Sequence, residues 1–144
     1  MSDENREKQV KTAMKCGYKD LLAEADAAIE AVTPEQAAAL RGNADIVFVD
    51  IRDIRELNRE GTIEGALHAP RGMLEFWVDP ESPYHKPIFA SGKKFIFFCA
   101  SGWRSALATF ALQRMGLAPI CHLKGGLTAW KSVGLPISAP AKPK

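Results

Sequence analysis

The segment from Phe95 to Gly116 constrains the fold of this chain more than any other. It opens with four consecutive apolar residues, FIFF, of the types that form a fully buried strand. It closes with a helical pattern from Ser105 to Met115, after which Gly116 stands where a helix C-terminal glycine is expected. Only six residues, CASGWR, separate the two patterns. The segment therefore predicts a buried strand joined to a helix by a short loop.

Cys99 is the first residue of that loop and faces the start of the predicted helix. Unpaired N–H groups at a helix N-terminus, the N–H groups of a loop relaxed by Gly102 and the guanidinium of Arg104 all stabilise negative charge. A thiol in such surroundings ionises more readily and becomes a better nucleophile. A cysteine after a buried strand is otherwise an ordinary core residue, but glycine, serine and arginine are unusual core neighbours. We therefore predict that Cys99 is a nucleophile.

The other two cysteines, Cys16 and Cys121, are predicted to be ordinary small residues. The three cysteines of the chain are odd in number and far apart in sequence, which does not indicate a disulfide framework. Cys121 and His122 are adjacent, but neighbouring residues of a strand point to opposite faces and are poor co-ligands. The sequence therefore predicts neither a metal site nor a cofactor.

Composition and charge indicate a globular protein and exclude two classes of partner. A chain of 144 residues, with 47% hydrophobic and 25% charged residues, is long enough to bury one core. The net charge of +2, with scattered lysines and arginines, predicts no nucleic-acid binding. No apolar run approaches the ~18 residues that a membrane span requires. The charged N-terminus lacks a signal-peptide pattern, so we expect a cytoplasmic location and no membrane partner.

Predicted strands and helices alternate along the chain. This alternation predicts an α/β, three-layer fold with a central, mostly parallel five-stranded sheet, helices on both faces and an extra N-terminal helix over 17–28. The strand candidates are Ile29–Val32, Asp45–Asp50, Gly65–Pro70, Phe95–Cys99 and Ala118–Leu123. One domain is expected over residues 13–137, with flexible tails at 1–12 and 138–144. Ligands bind beyond the carboxyl ends of strands in such sheets, and Cys99 lies at such an end.

Several ordered segments resemble the single-domain rhodaneses, which are thiosulfate-type sulfurtransferases. The resemblance extends over most of the chain, from about Ile29 to Pro136. The matching segments are Asp45–Arg52 (a strand ending in Asp-x-Arg) with Glu56 in the next helix, Gly61–Pro70 (Gly-His-Ile-x-Gly-Ala, with Thr62 in place of the histidine), Cys99–Arg104 (the active-site loop), and Gly125-Gly126, Trp130 and Gly134-Leu135-Pro136 (the closing motif). The resemblance implies a rhodanese-like fold.

The resemblance also implies covalent, double-displacement sulfur transfer without a cofactor. Cys99 would attack the outer sulfur of a small anionic donor such as thiosulfate, release sulfite and become a persulfide. Cyanide or a thiol acceptor, which can belong to a protein, would then remove that sulfur. Arg104 would hold the anionic end of the donor. The N–H groups that would stabilise the persulfide belong to Ala100, Ser101, Gly102, Trp103, Arg104 and Ser105.

Loop length distinguishes sulfur transfer from its main alternative. Phosphatases and arsenate reductases of the same fold use a Cys-x5-Arg loop to surround a tetrahedral oxyanion, and the phosphatases usually place histidine before the cysteine. Here the spacing is Cys-x4-Arg, and Phe98 precedes Cys99. The shorter loop makes a smaller cradle, which suits a sulfur atom better than phosphate. A sulfur-carrier or protein-binding module with little turnover of its own is the remaining alternative.

Asp50 and Arg52 follow a strand end at the same edge of the sheet as Cys99. We interpret them as support for the loop through hydrogen bonds, and not as catalytic residues. The structural alternative is an Arg52–Glu56 pair with Asp50 as a helix cap.

Two further loop residues and two histidines complete the candidates. Trp103 has two interpretations: it walls the substrate pocket, or it anchors the loop by being buried. Ser101 is a candidate donor to the persulfide. His68 and His122 are expected to be structural histidines, because neither lies near Cys99 in the sequence.

Overall fold

The computed structural model describes residues 14–141, which surround a five-stranded sheet in the order β1-β5-β4-β2-β3. Every pair of neighbouring strands in this sheet is parallel. The strands are β1 (Ala31–Val32), β2 (Ile46–Asp50), β3 (Leu67–His68), β4 (Lys94–Phe98) and β5 (Ile120–Leu123). The predicted α/β fold with a five-stranded sheet is confirmed. Cys99 directly follows β4, the middle strand.

Helices connect the strands, and two of them begin at capping boxes. Within the described residues they are α1 (Tyr18–Ala28), α2 (Pro34–Ala39), α3 (Ile54–Glu60), α4 (Leu74–Val78), α5 (Trp103–Arg114) and α6 (Gly126–Ser132). Thr33 and Gln36 form the capping box of α2, with each side chain accepting a backbone N–H of the other. Asp53 and Glu56 form the same motif at α3. It starts α3 three residues after β2, which brings this helix to the edge where Cys99 lies.

Alternating residues of β4 build a core on each face of the sheet. Phe95 and Phe97 lie in one buried cluster, together with residues of α4 and α5 such as Leu74 and Leu112. The intervening residues Ile96 and Phe98 lie in a second cluster with Ala37 of α2 and with Leu127 and Trp130 of α6. Helices therefore cover both faces, as the three-layer prediction requires.

Helix α1 is the predicted extra N-terminal helix, and it packs on α5. The side-chain amide of Gln113 donates a hydrogen bond of 2.9 Å to the carbonyl of Ala28 at the end of α1. At the other end of α1, the rings of Tyr18 and Trp103 lie with their centroids 5.1 Å apart. The extra helix therefore lies beside the loop that carries Cys99.

Helix α5 begins at Trp103, two residues before the predicted start at Ser105. Gly102 is its N-cap residue, with a left-handed φ of +101°, a conformation that glycine adopts without steric cost. Trp103 and Arg104 are therefore residues of the first helical turn and not of the loop. The apolar pattern of the helix did not include these two residues, because Trp103 projects into solvent and Arg104 is half-buried.

The described residues include the predicted C-terminal boundary of the domain. Ser138 was predicted to belong to a flexible tail, but it exchanges two backbone hydrogen bonds of 2.8 and 2.9 Å with Thr62. The folded part of the chain therefore extends beyond residue 137. The predicted tail at 1–12 and residues 142–144 lie outside the described residues. Among residues 14–141, no helix has both the length and the apolar character that crossing a membrane requires.

Candidate active site

The loop after β4 is fixed by its backbone to the first turn of α6. The carbonyl groups of Cys99 and Ala100 accept hydrogen bonds of 2.9 Å from the N–H groups of Leu127 and Thr128, respectively. These N–H groups belong to the start of a helix, where they have no partner within the helix itself. Cys99 is only 1% exposed, so its side chain is buried beneath the loop.

Gly126 makes this close approach sterically feasible. A Cβ atom at this position would lie 2.6 Å from the carbonyl oxygens of both Cys99 and Ala100, and the φ angle of Gly126 is +61°. A side chain here would therefore push the loop away from α6. The Gly125-Gly126 pair, which belongs to the predicted closing motif, thus shapes the cysteine loop directly.

Two backbone N–H groups point at the sulfur of Cys99. The N–H of Gly102 lies 3.2 Å from Sγ, and the N–H of Ser105 lies 3.4 Å from it. The hydroxyl oxygen of Ser105 is a third neighbour, at 3.6 Å. This geometry agrees with the expectation that a helix start faces the cysteine, and these donors stabilise negative charge on sulfur.

Arg104 is held by Glu56 of α3 in a bidentate ion pair. The two N···O distances are 2.9 and 3.0 Å, and the Arg104 side chain remains 39% exposed. Arg104 lowers the pKa of Glu56, and Glu56 raises the pKa of Arg104, to which the nearby Cys99 adds a smaller effect. The alternative pair of Arg52 with Glu56 is therefore wrong, because Arg104 occupies both carboxylate oxygens.

Asp50 and Arg52 form a completely buried pair, but the predicted hydrogen bonds to the cysteine loop are wrong. Arg52 donates to Asp50 at 2.8 and 3.0 Å, to the carbonyl of Gly61 at 2.7 Å and to Glu60 at 3.2 Å. Thr62, at the position where the family has histidine, donates a bond of 2.7 Å to Asp50. The pair therefore fixes the C-terminal end of α3, the helix that carries Glu56.

His122, which the sequence predicts to be a structural histidine, contacts the site through Ser105, and sequence reasoning missed this contact. Its Nδ1 atom lies 3.0 Å from Oγ of Ser105, and the residue is only 5% exposed. Burial lowers the pKa of His122, and the charge of Asp26 opposes this effect. The alternation of β5 was the available signal: Cys121 lies in the core on the α6 side, so its neighbour points to the side of α5.

Trp103 lies in the wall of an open cleft of about 390 Å³ beside the loop. Its side chain is 57% exposed, so the interpretation that it anchors the loop by burial is wrong. Ser101 is exposed at the rim of the same cleft. The remaining lining residues are Leu22, Asp26, Ile29, Ala31, Gly102, Ala106, His122, Lys124 and Gly125.

The other cysteines lie apart from the site. Cys16 is exposed, whereas Cys121 is fully buried between the sheet and α6. Burial raises the pKa of Cys121 to about 11, which keeps its thiol protonated and unreactive. Across residues 14–141, no cluster of three or more His, Cys, Asp and Glu side chains is arranged to hold a metal ion.

The fold agrees with comparisons to known proteins. The family model described as the rhodanese-like domain matches residues 33–133. The chain belongs to the rhodanese-like domain family. This rhodanese-like chain is 33% identical to a sulfurtransferase of Allochromatium vinosum over 101 residues, which are 70% of this chain and 86% of that protein. It is 30% identical to the thiosulfate sulfurtransferase GlpE of Glaesserella parasuis over 106 residues, with 74% and 90% of the two chains covered.

A solved structure from Rhodopseudomonas palustris is similar to this rhodanese-like chain over nearly its whole length. The TM-score is 0.86 at 51% sequence identity, and the match covers 88% of this chain and 98% of the other. That protein is described as one of unknown function and a possible tyrosine phosphatase. The comparisons therefore support a transferase of the rhodanese type and also give one reason to test phosphatase chemistry.

Proposed function

We propose that this protein is a sulfurtransferase that carries a sulfane sulfur on Cys99 as a persulfide. The donor is a small anionic sulfur compound such as thiosulfate, and the acceptor is cyanide or a thiol. The observation that carries the proposal is the pair of N–H groups, from Gly102 and Ser105, aimed at Sγ at 3.2 and 3.4 Å. They stabilise the thiolate before each attack and again when it is regenerated.

The reaction consists of two displacements at sulfur. In the first, the Cys99 thiolate attacks the outer sulfur of thiosulfate, a new S–S bond forms, and the old S–S bond breaks with its electron pair leaving on sulfite. In the second, the acceptor thiolate or cyanide attacks the outer sulfur of the persulfide. The product is an acceptor persulfide or thiocyanate, and the electron pair of the broken bond returns to Cys99 as thiolate.

Arg104 is suited to binding the anionic end of the donor. Its guanidinium is anchored on Glu56 by two of its N–H groups, and the others remain available because the side chain is 39% exposed. A guanidinium held in this way loses little conformational freedom when the donor binds. The remaining backbone N–H groups, from Ala100 and Ser101 of the loop and from Trp103 and Arg104 of the first helical turn, are proposed to face the outer sulfur of the persulfide.

Intact-mass measurement after thiosulfate treatment tests the proposal. We expect the mass of one added sulfur atom, its removal by cyanide with formation of thiocyanate, and its absence in Cys99→Ser. The matched control is Cys121→Ala, which removes a buried thiol outside the site and should load sulfur like the wild type. A Cys99→Ser protein that still loads and transfers sulfur at the wild-type rate would overturn the proposal. Loading without steady-state turnover would identify a sulfur carrier.

A phosphatase is the second candidate, because the description of the similar Rhodopseudomonas palustris structure names that activity. Four residues separate Cys99 from Arg104, and the N–H groups of Gly102 and Ser105 are directed at the sulfur itself. Such a loop leaves fewer donors for the oxygens of a phosphate. Parallel assays with thiosulfate plus cyanide and with an aryl phosphate separate the two functions. Phosphate release that depends on Cys99 and exceeds thiocyanate formation would favour the phosphatase.

A further inference from the structure

Three side chains connect the buried sulfur of Cys99 with the cleft beside α1. Sγ of Cys99 lies 3.6 Å from Oγ of Ser105, and this oxygen lies 3.0 Å from Nδ1 of His122. The exposed fractions of the three residues are 1, 0 and 5%, respectively. Hydrogen bonds between groups so well buried are stronger than those in water. His122 also lines the cleft, so the connection extends from the sulfur to a space that solvent enters.

We propose, resting on the function proposed above, that His122 is a positioning residue that acts through Ser105. It accepts the thiol proton of Cys99 by way of the Ser105 hydroxyl and releases it into the cleft. A thiol that is 1% exposed has little direct access to water, so its proton needs a route through the protein. The hydrogen-bonded connection provides that route.

Each bond that breaks during the proton transfer is matched by a bond that forms on the next of the three side chains. The S–H bond of Cys99 breaks as an O–H bond forms on Ser105, while the original O–H bond of Ser105 breaks as an N–H bond forms at Nδ1 of His122. The products are a thiolate, a hydroxyl and an imidazolium, and nothing is oxidised or reduced. Release of the Nε2 proton to water leaves Nδ1–H donating to Ser105, whose hydroxyl then donates to the thiolate.

The hydroxyl of Ser105 has two acceptors within reach, and the distances favour His122. Oγ lies 3.3 Å from the carbonyl of Gly102 and 3.0 Å from Nδ1 of His122. Since a hydroxyl has one proton to donate, the shorter contact is the preferred one. The Ser105 side chain is therefore oriented between the sulfur and the imidazole.

The surroundings of His122 suit a neutral imidazole that takes up a proton transiently. Burial lowers its pKa, which favours the neutral ring. The relay uses the tautomer that carries its proton on Nε2, in which Nδ1 accepts. Asp26 of α1 faces the ring and raises its pKa, which stabilises the imidazolium once it forms. Lys124, the residue after β5, is the other charged side chain that lines the same cleft. The neighbours in the sheet register, Ala31 of β1 and Phe97 of β4, carry no charge.

The pH dependence of Cys99 alkylation tests this relay. The rate of carboxamidomethylation at Cys99 is measured by mass spectrometry between pH 5 and 9 for the wild type, His122→Asn and His122→Val. We expect the midpoint of the profile to rise by about one pH unit in both variants, which is about a tenfold loss of rate below the midpoint. The rates should converge at high pH, because hydroxide then replaces the histidine as base.

His85→Asn is the matched control. The Nδ1 atom of His85 also makes one hydrogen bond, of 3.0 Å to the carbonyl of Trp77, but the residue lies outside the site. Its profile should coincide with that of the wild type. Overlapping midpoints for the wild type and both His122 variants would overturn the relay. A uniform loss of rate at every pH would also overturn it, because that result indicates a purely structural role.

A second measurement needs no variant of His122. NMR titration of the His122 ring is compared between the wild type and Cys99→Ala. We expect the midpoint to fall in Cys99→Ala, because the negative charge that stabilises the imidazolium is gone and linkage is reciprocal. Identical titrations would overturn the relay. Alkylation and NMR do not require sulfur transfer, so a wild-type protein that loads no sulfur would refute the proposed function separately.

Discussion

The guanidinium of Arg104 and the carboxylate of Glu56 meet at two N···O distances of 2.9 and 3.0 Å across 48 residues of sequence. Arg104 belongs to the first turn of α5, and Glu56 belongs to the capping box that starts α3. Charge-assisted bidentate pairs of this kind are directional as well as strong. The pair therefore connects the helix start that faces the sulfur with the helix that follows the neighbouring strand.

Replacing Glu56 by glutamine tests whether this orientation of Arg104 matters for donor binding. The amide side chain of the Glu56→Gln variant keeps an oxygen that accepts the N–H of Asp53 in the capping box, but it lacks the charged bidentate acceptor of Arg104. We expect kcat/KM for thiosulfate to fall about tenfold, since Arg104 must then be ordered by the donor itself. Steady-state kinetics with thiosulfate and cyanide measure this.

Glu64→Gln is the control for Glu56→Gln. Glu64 is a surface carboxylate, 79% exposed, at 4.0 Å from Arg41, and it should tolerate the same chemical change without loss of activity. Because Arg104 lowers the pKa of Glu56, the stability that Glu56 contributes is lost as pH falls through that lowered pKa. The stability difference between wild type and Glu56→Gln should therefore shrink in acid. Equal values of kcat/KM for Glu56→Gln and Glu64→Gln would contradict the expected role of Glu56 in orienting Arg104.

Gly126 gives a second prediction, because its missing side chain lets α6 approach the cysteine loop. Gly126→Ala should lower stability by more than the about 1–2 kcal/mol that its positive φ angle alone costs, because the new Cβ also meets the backbone, and it should slow persulfide formation. The reason for the slower rate is that its Cβ would lie 2.6 Å from the carbonyl oxygens of Cys99 and Ala100. Chemical denaturation and the rate of sulfur loading measure the two effects.

The Gly134→Ala variant separates the effect of backbone strain from the effect of displacing the cysteine loop. Gly134 also has a positive φ, of +81°, but a Cβ there meets no atom within 4 Å. It should therefore lose only the free energy of unfolding that the positive φ angle costs, less than Gly126→Ala loses, and keep the wild-type rate of sulfur loading. If Gly134→Ala and Gly126→Ala load sulfur at the same rate, the proposed displacement of the loop is wrong.

Local patterns were sufficient to predict the sheet and the position of Cys99. The apolar run before Cys99 and the helical spacing after it act over a few residues, so they can be recognised without tertiary information. The ion pair of Arg104 with Glu56 could not be predicted in this way. Sequence spacing offered Arg52, four residues away, only as an alternative partner of Glu56, and in the structure Arg52 turns inward to the buried carboxylate of Asp50.

The contact between His122 and Ser105 was missed for a related reason. The two residues lie on consecutive elements, β5 and α5, and they meet only because parallel pairing places β5 next to β4. The alternation of β5 predicts that His122 points away from Cys121, but it does not identify what lies opposite. The side chain that lies opposite His122 is set by the register of β5 in the sheet, and this register depends on the packing of the whole sheet.

Thr109 of α5 gives a third prediction, which concerns stability alone. Its hydroxyl is completely buried and, within the described residues, has no hydrogen-bond partner. Thr109→Val replaces this hydroxyl by a methyl group of nearly the same size and should raise the free energy of unfolding by about 1 kcal/mol. Thr109→Ser keeps the hydroxyl, loses the methyl and should be less stable than wild type. Urea denaturation that shows Thr109→Val to be destabilised would contradict this account.

The buried thiol of Cys121 should make the protein less stable in alkali. Burial raises its pKa from 9.0 to about 11, so between these values the unfolded chain loses a proton that the folded chain keeps. Stability therefore falls as pH rises through this range. Urea denaturation of wild type and Cys121→Ala at increasing pH isolates this contribution, because all other titrating groups are shared. The stability advantage of the wild type should be largest below pH 9 and should shrink as pH approaches 11. An advantage that stays constant would mean that the Cys121 thiol ionises as readily in the folded protein as in the unfolded chain.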